Sequence, residues 1–394
     1  MKSFRTVLFW MHLACGTAAG VVILIMCVTG VALTYEKQML EWADRRAWTA
    51  PSSTGARPRS PETLLAQVHA ARPGAAPIGV TLRVDPTAPA TVMLDGNKAL
   101  LVDPYSGQVI GEPPSGLRDF FRTMTAWHRY VAMAGENRST GKAITGASNL
   151  VFFFIVLSGM YLWLPRIWSW IQFKNVLWFR GGLAPKARDF NWHNVIGIWS
   201  AIPLAIVVAG ALPISYPWAG NLVYRIAGEQ PPPAAAPAGN AAGPGARRQD
   251  GPPPVFVSAG LDAAWETSRA QVPGWRTMTT RLAASERAPI VMTVDEGYAG
   301  QPQKRLTLTV DRGSAAIIKS EAFENLSPGR RLRSWLRFAH TGEIYGPGGQ
   351  TVAGLASAGG AVLVYTGIAL AMRRLGAWLS RRRAAAAVER PKAA

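Results

Sequence analysis

His12, His128, His193 and His340 are the residues of this chain whose type and placement point to chemistry. A neutral imidazole ligates metal ions, titrates near neutral pH, and is costly to bury without a partner. The chain has five histidines, so this set is nearly all of them. The fifth, His69, sits in Gln67-Val68-His69-Ala70 and reads as a surface residue. Cys15 and Cys27 are twelve residues apart in one apolar run. That is roughly 18 Å along a helix, too far for a bond between them.

The elements that must position the histidines are long apolar runs. Hydrophobic residues make up 49% of the chain and charged residues 16%, which calls for spanning helices joined by water-facing regions. Four runs are long enough to cross the hydrocarbon layer: residues 8–34, 144–164, 193–214 and 352–372. The first is too long for a secretory signal, and no small-residue cleavage site follows Thr34-Tyr35-Glu36. Lys2 and Arg5 precede it. The 165–192 loop carries Arg166, Lys174, Arg180, Lys186 and Arg188 with a single acid, Asp189, and the 373–394 tail carries Arg373, Arg374, Arg381, Arg382 and Arg383. By the positive-inside rule these segments, and both termini, belong in the cytoplasm. The long 36–143 and 215–350 connections then lie outside, in the periplasm of a bacterial cell whose inner membrane holds the chain. The formal charge of +19 first suggests nucleic acid, but the basic residues are dispersed and no nucleic-acid motif occurs. Contact with the bilayer accounts for the excess.

The chain is written twice. The first span begins Trp10-Met11-His12 and continues with Gly16, Gly30 and Tyr35; the third begins Asn191-Trp192-His193 and continues with Gly197, Gly210 and Tyr216. The second span ends Leu157-Ser158-Gly159-Met160-Tyr161-Leu162-Trp163, and the fourth ends Tyr365-Thr366-Gly367-Ile368-Ala369-Leu370. Outside, Leu64-Leu65-Ala66-Gln67-Val68 and Ala263-Ala264-Trp265-Glu266 read as helices, each leading to a Pro-Gly pair. Alternating residues such as Thr81-Leu82-Arg83-Val84 and Leu306-Thr307-Leu308-Thr309-Val310 then read as strands. Each outer region is expected to be a small α+β module, the second interrupted at 230–254 by a flexible Pro/Ala/Gly-rich insertion.

This repetition pairs the histidines. His12 and His193 open spans one and three at the inner face. His128 and His340 precede spans two and four at the outer face, on amphipathic segments whose apolar stripes are Leu117, Phe120, Phe121 and Met124, and Leu332, Trp335, Leu336 and Ala339. A single histidine at a membrane border is ordinarily a hydrogen-bonded interface residue. Two matched pairs, one per face, instead offer two imidazoles to each of two haem irons, with Gly16 and Gly197 leaving room beside the inner pair. Glycine there is equally common in plain helix packing. Neither cysteine lies in a C-x-x-C-H signature, so the haems are expected to be two non-covalent b-type haems. Zinc or copper fits less well, since each pair lacks a third ligand. No nucleotide-binding glycine motif occurs, so the electron donor must be a separate partner or a diffusible reductant. Arg330, Arg331, Arg333 and Arg337 share the segment of His340; contact with lipid headgroups is their first reading.

The order and placement of Val102-Asp103-Pro104-Tyr105-Ser106-Gly107, Trp127-His128-Arg129, Ser158-Gly159-Met160-Tyr161-Leu162-Trp163-Leu164-Pro165-Arg166 and Ala339-His340-Thr341-Gly342-Glu343 resemble the PepSY-associated transmembrane family over nearly the whole chain. The resemblance implies a four-helix membrane bundle with two periplasmic α+β PepSY-like modules. It also implies an iron-regulated membrane protein, some members being haem-containing reductases of ferric siderophores. One departure stands out: Asp311-Arg312-Gly313-Ser314 replaces the family's Asp-Pro-x-x-Gly. The expectation is therefore a diheme b-type oxidoreductase with His12, His193, His128 and His340 on the haem irons, reducing ferric siderophores or other ferric chelates at the periplasmic face. A non-redox membrane sensor or peptidase regulator, and a quinone-linked cytochrome b, are the alternatives.

Overall fold

A computed structural model describes residues 2–46, 57–164, 169–233, 257–283, 285–297 and 300–388. Arg166 and residues 234–254 of the expected insertion lie outside them. In chain order the elements are α1 (Lys2–Leu33), α2 (Glu36–Arg46), α3 (Pro61–Ala71), β1 (Pro77–Arg83), β2 (Ala90–Leu94), β3 (Lys98–Val102), β4 (Val109–Gly111), α4 (Ser115–Tyr130), α5 (Arg138–Trp163), α6 (Trp170–Leu177), α7 (Pro185–Ser215) and α8 (Pro217–Ile226). After them come α9 (Leu261–Gln271), β5 (Thr277–Arg281), β6 (Ile290–Asp295), β7 (Arg305–Val310), β8 (Ile317–Ala322), α10 (Pro328–His340) and α11 (Gly346–Val388). The described residues divide into two units. One runs up to Thr34, through Phe121–Leu222, and on from Leu336; the other comprises Tyr35–Phe120 and Val223–Trp335.

In the first unit, Phe4–Leu33, Gly135–Trp163, Pro185–Ser215 and Glu343–Ala384 are long and apolar enough to cross a membrane. All four exceed the expected spans, because polar residues with good helix propensity extend the same helices. α11 runs on through Arg381, Arg382 and Arg383 into an alanine stretch, and α7 starts four residues before Asp189 with Pro185 in its first turn. Each helix packs on two others, in the cyclic order α1, α5, α7, α11. Their shared core holds Ile23, Cys27, Phe152, Val156, Leu204, Val208 and Ala356. Small residues bring the backbones together: a side chain at Gly360 would strike Cys27 Sγ, and one at Gly20 would press on Ile368. Outward-facing Val21, Val28, Trp199, Ile202 and Leu355 are exposed and apolar, as a lipid-facing surface must be.

The helices alternate in direction. At the end that holds the chain's N-terminus, Arg5 donates to the carbonyls of Leu162 and Leu164, capping α5. At the same end Arg374 stacks over Phe9 and Trp10. At the other end Gln350 donates to the Thr34 carbonyl, and Gly354 packs on Thr34.

The second unit is built on one antiparallel sheet in the order β4-β3-β2-β1-β5-β6-β7-β8. Each half contributes a helix followed by four strands. The halves meet where β1 pairs with β5, Val80 opposite Thr280, so two modules merge into one sheet. Pairing there removes two open strand edges that separate modules would expose. α3 and α9 cover one face, above Val80, Val92, Leu100, Met278, Met292 and Leu308, all fully buried. The two helices cap each other: Glu62 N–H donates to Asp262 Oδ1, and Asp262 N–H donates to Glu62 Oε1. Asp103 and Asp311 build the same turn in each half, each accepting bonds from the following backbone and a serine hydroxyl. The family's glycine is Gly107 in the first turn, at φ 74°; in the second its place is taken by Ala315 at φ 56°, a strained conformation for alanine.

Candidate functional site

The four histidines are gathered into two pairs within the bundle unit. His12 on α1 and His193 on α7 both stand toward the end that holds the N-terminus, His12 packed on Gly159 of α5 and His193 on Gly367 of α11. His128, near the C-terminus of α4, and His340, the last residue of α10, stand toward the other end, their ring centres 6.1 Å apart and their planes at 46°. All four rings are half-buried. Thr29, which touches His128, is seventeen residues beyond His12 on α1, so the two pairs are separated by roughly 25 Å along that helix.

Each ring is held through Nδ1. His12 Nδ1 is 2.8 Å from Ser158 Oγ, and His193 Nδ1 is 2.9 Å from Thr366 Oγ1. His128 Nδ1 is 3.0 Å from Thr29 Oγ1, and His340 Nδ1 is 2.8 Å from the Val207 carbonyl. The three hydroxyls donate their single proton to carbonyls of their own helices: Ser158 to Ile155, Thr366 to Val362, Thr29 to Ile25. With their protons placed there, their oxygens accept from the histidine, as the Val207 carbonyl must. The Val207 carbonyl puts the His340 proton on Nδ1, and the same assignment for the other three rings leaves every Nε2 lone pair free. Nε2 of each makes no hydrogen bond among the described residues. Glycines give the rings room. A methyl group at Gly159 would lie 3.3 Å from His12 Cε1, one at Gly367 would lie 3.4 Å from His193 Cε1, and one at Gly30 would lie 3.5 Å from His128 Cε1. At Gly210 it would meet His340 and the Leu336 carbonyl.

A metal–imidazole bond is about 2 Å and the ring centre lies about 1 Å behind the nitrogen, so two rings sharing one metal have centres roughly 6 Å apart. The His128–His340 spacing meets that requirement. Burial pushes the His128 pKa down to about 4, and His340 beside it acts in the same direction; burial lowers His340 as well. Both rings are thus neutral, as ligands must be. Beside the other pair, Gly16 has open space where a side chain would stand, and Gly197 faces only Leu363. Among the described residues no three His, Cys, Asp or Glu side chains converge as a metal cluster. The donor set is two imidazoles per site, which would suit a haem iron better than a zinc or copper ion.

His69 is exposed on α3, as its sequence context suggested. Arg330, Arg331, Arg333 and Arg337 all lie on α10, Arg330 facing Glu321 at 3.9 Å. Toward the N-terminal end, the buried Asp189 binds Arg188 at 3.0 Å and Arg373 at 2.8 Å, tying α7 to α11 one turn before His193. Sequence reasoning overlooked Ser158, Thr366 and Thr29 as partners of the histidine rings. The available signal was a dipeptide, hydroxyl then glycine, occurring as Thr29-Gly30, Ser158-Gly159 and Thr366-Gly367.

Comparison with curated proteins found no match to this chain. The model of the PepSY-associated TM region matches residues 9–374, which takes in all four histidines and both units. With that match over nearly its whole length, the chain belongs to the PepSY-associated TM family of membrane proteins.

Proposed function

We propose that the protein is a diheme b-type oxidoreductase of a bacterial inner membrane, moving electrons outward to reduce ferric chelates such as ferric siderophores. The observation that carries this reading is the pairing of four histidines at two levels, each with Nδ1 tied and Nε2 free. His12 and His193 would hold the cytoplasmic haem, and His128 and His340 the periplasmic one. A haem held between these imidazoles would supply one-electron transfer.

The chain's own residues set the conditions. Ser158, Thr366, Thr29 and the Val207 carbonyl orient the imidazoles. Ile23, Phe152, Val156, Leu204 and Val208 fill the bundle core and keep water and ions out of it. The net reaction takes one electron from a separate donor on the cytoplasmic side and reduces ferric iron to ferrous in an oxygen-donor chelate outside. Reduction loosens the chelate, because oxygen donors prefer the harder ferric ion. Arg330, Arg331 and Arg337, on the helix that ends in His340, favour an anionic chelate electrostatically.

The test is anaerobic. Protein reduced with dithionite is mixed with ferric chelates in the presence of a ferrous-specific chromophore. Reoxidation of the haem bands with accumulation of the chromophore is expected. No reoxidation by any ferric siderophore, with rapid reoxidation by a quinone, would reject the substrate assignment.

A further inference from the structure

Three of the four histidines rest on the same two-residue device, and the fourth rests on an altered copy of it. In Thr29-Gly30, Ser158-Gly159 and Thr366-Gly367 the hydroxyl meets Nδ1 and the next residue, lacking a side chain, lets the ring lie against the helix. His340 lies on Gly210, but the residue before it is Ala209, where the first half of the chain has Thr29. With no hydroxyl available there, the ring's Nδ1–H goes to the Val207 carbonyl at 2.8 Å.

We propose that Thr29, Ser158 and Thr366 are positioning residues that fix the tautomer and electron density of His128, His12 and His193, and that the Val207 carbonyl does the same for His340. The inference rests on reading the four histidines as haem ligands. A bond from Nδ1–H to an acceptor oxygen holds the proton on that nitrogen and pushes electron density toward Nε2. A more electron-rich axial nitrogen favours ferric over ferrous iron, so each acceptor lowers the midpoint potential of its own site. Loss of an acceptor leaves the imidazole free to exchange tautomers and to rotate.

The test uses the full chain with Ser158→Ala, Thr366→Val and Thr29→Val, each beside the variant that keeps a hydroxyl: Ser158→Thr, Thr366→Ser and Thr29→Ser. Two readouts are taken: a redox titration of the haem-loaded protein, and histidine ¹⁵N NMR of the haem-free protein. Each hydroxyl-free variant should raise the midpoint potential of one haem only, or lose that haem. In the haem-free protein it should turn one imidazole from the Nδ1–H form into a tautomer mixture. The hydroxyl-keeping variants should restore both signatures. Unchanged potentials and tautomers in all three hydroxyl-free variants would overturn the inference, as would equal changes in both variants of each position, which would mark a packing effect. Haem-free preparations from haem-replete cells would instead refute the cofactor reading, while the NMR arm still decides whether the hydroxyls fix the rings.

Discussion

An imidazole in a half-buried helix pair needs one partner to avoid the cost of an unmet polar group, and each of these four has one on Nδ1. That leaves the second nitrogen for a ligand, and it makes single substitutions informative. His12→Ala or His193→Ala should lower the haem-to-protein ratio from two to one and leave the other haem's spectrum intact; a ratio that stays at two would show the pairing to be wrong. The histidines were legible in the sequence because histidine is rare here and the apolar spans fix its level. Their holding groups were not, since Ser158 and Thr366 stand 146 and 173 residues from their histidines, and a mid-helix hydroxyl normally bonds only its own backbone. Ala315 offers a separate test at this scale. It adopts φ 56° where Gly107 adopts φ 74° in the equivalent turn. Ala315→Gly should stabilise the sheet unit by about 1 kcal/mol, read as a higher melting temperature; strain relief favours glycine, and its greater freedom in the unfolded chain offsets part of the gain. A lower melting temperature would show that the turn tolerates alanine without strain.

At the scale of elements, the four spans were legible from hydropathy, but their ends were not. Hydropathy marks the stretch that suits lipid, whereas the helices continue into polar ends held by pairs such as Asp189 with Arg373. That pair also fixes the register of α7 against α11 one turn from His193. Asp189→Asn should cost about 1 kcal/mol of stability, since both arginines are partly exposed and can turn to water. Thermal melting in detergent checks it, and a melt unchanged from the parent would show that the pair does not clamp the helices. In the sheet unit the alternating residues identified strands correctly. The merging of both halves through β1 and β5 could not be read, because a period of two says which face a residue takes and nothing about which edge finds a partner.

At the scale of the whole molecule, the proposed orientation rests on charge. Arg373, Arg374, Arg381, Arg382 and Arg383 stand at the end of α11 that lies beside Phe9 and Trp10, and by the positive-inside rule that end is expected to face the cytoplasm. Cysteine at the exposed Ser380 should be protected in intact cells from a membrane-impermeant thiol reagent, while cysteine at the exposed Lys98 of the sheet unit should react. The opposite pattern would invert the topology. The central claim, two haems between two histidine pairs, is tested most directly by one measurement: the visible spectrum of the dithionite-reduced, purified protein with its haem-to-protein ratio. The account predicts a low-spin, six-coordinate b-type spectrum at two haems per chain. A colourless protein from haem-replete cells would contradict it.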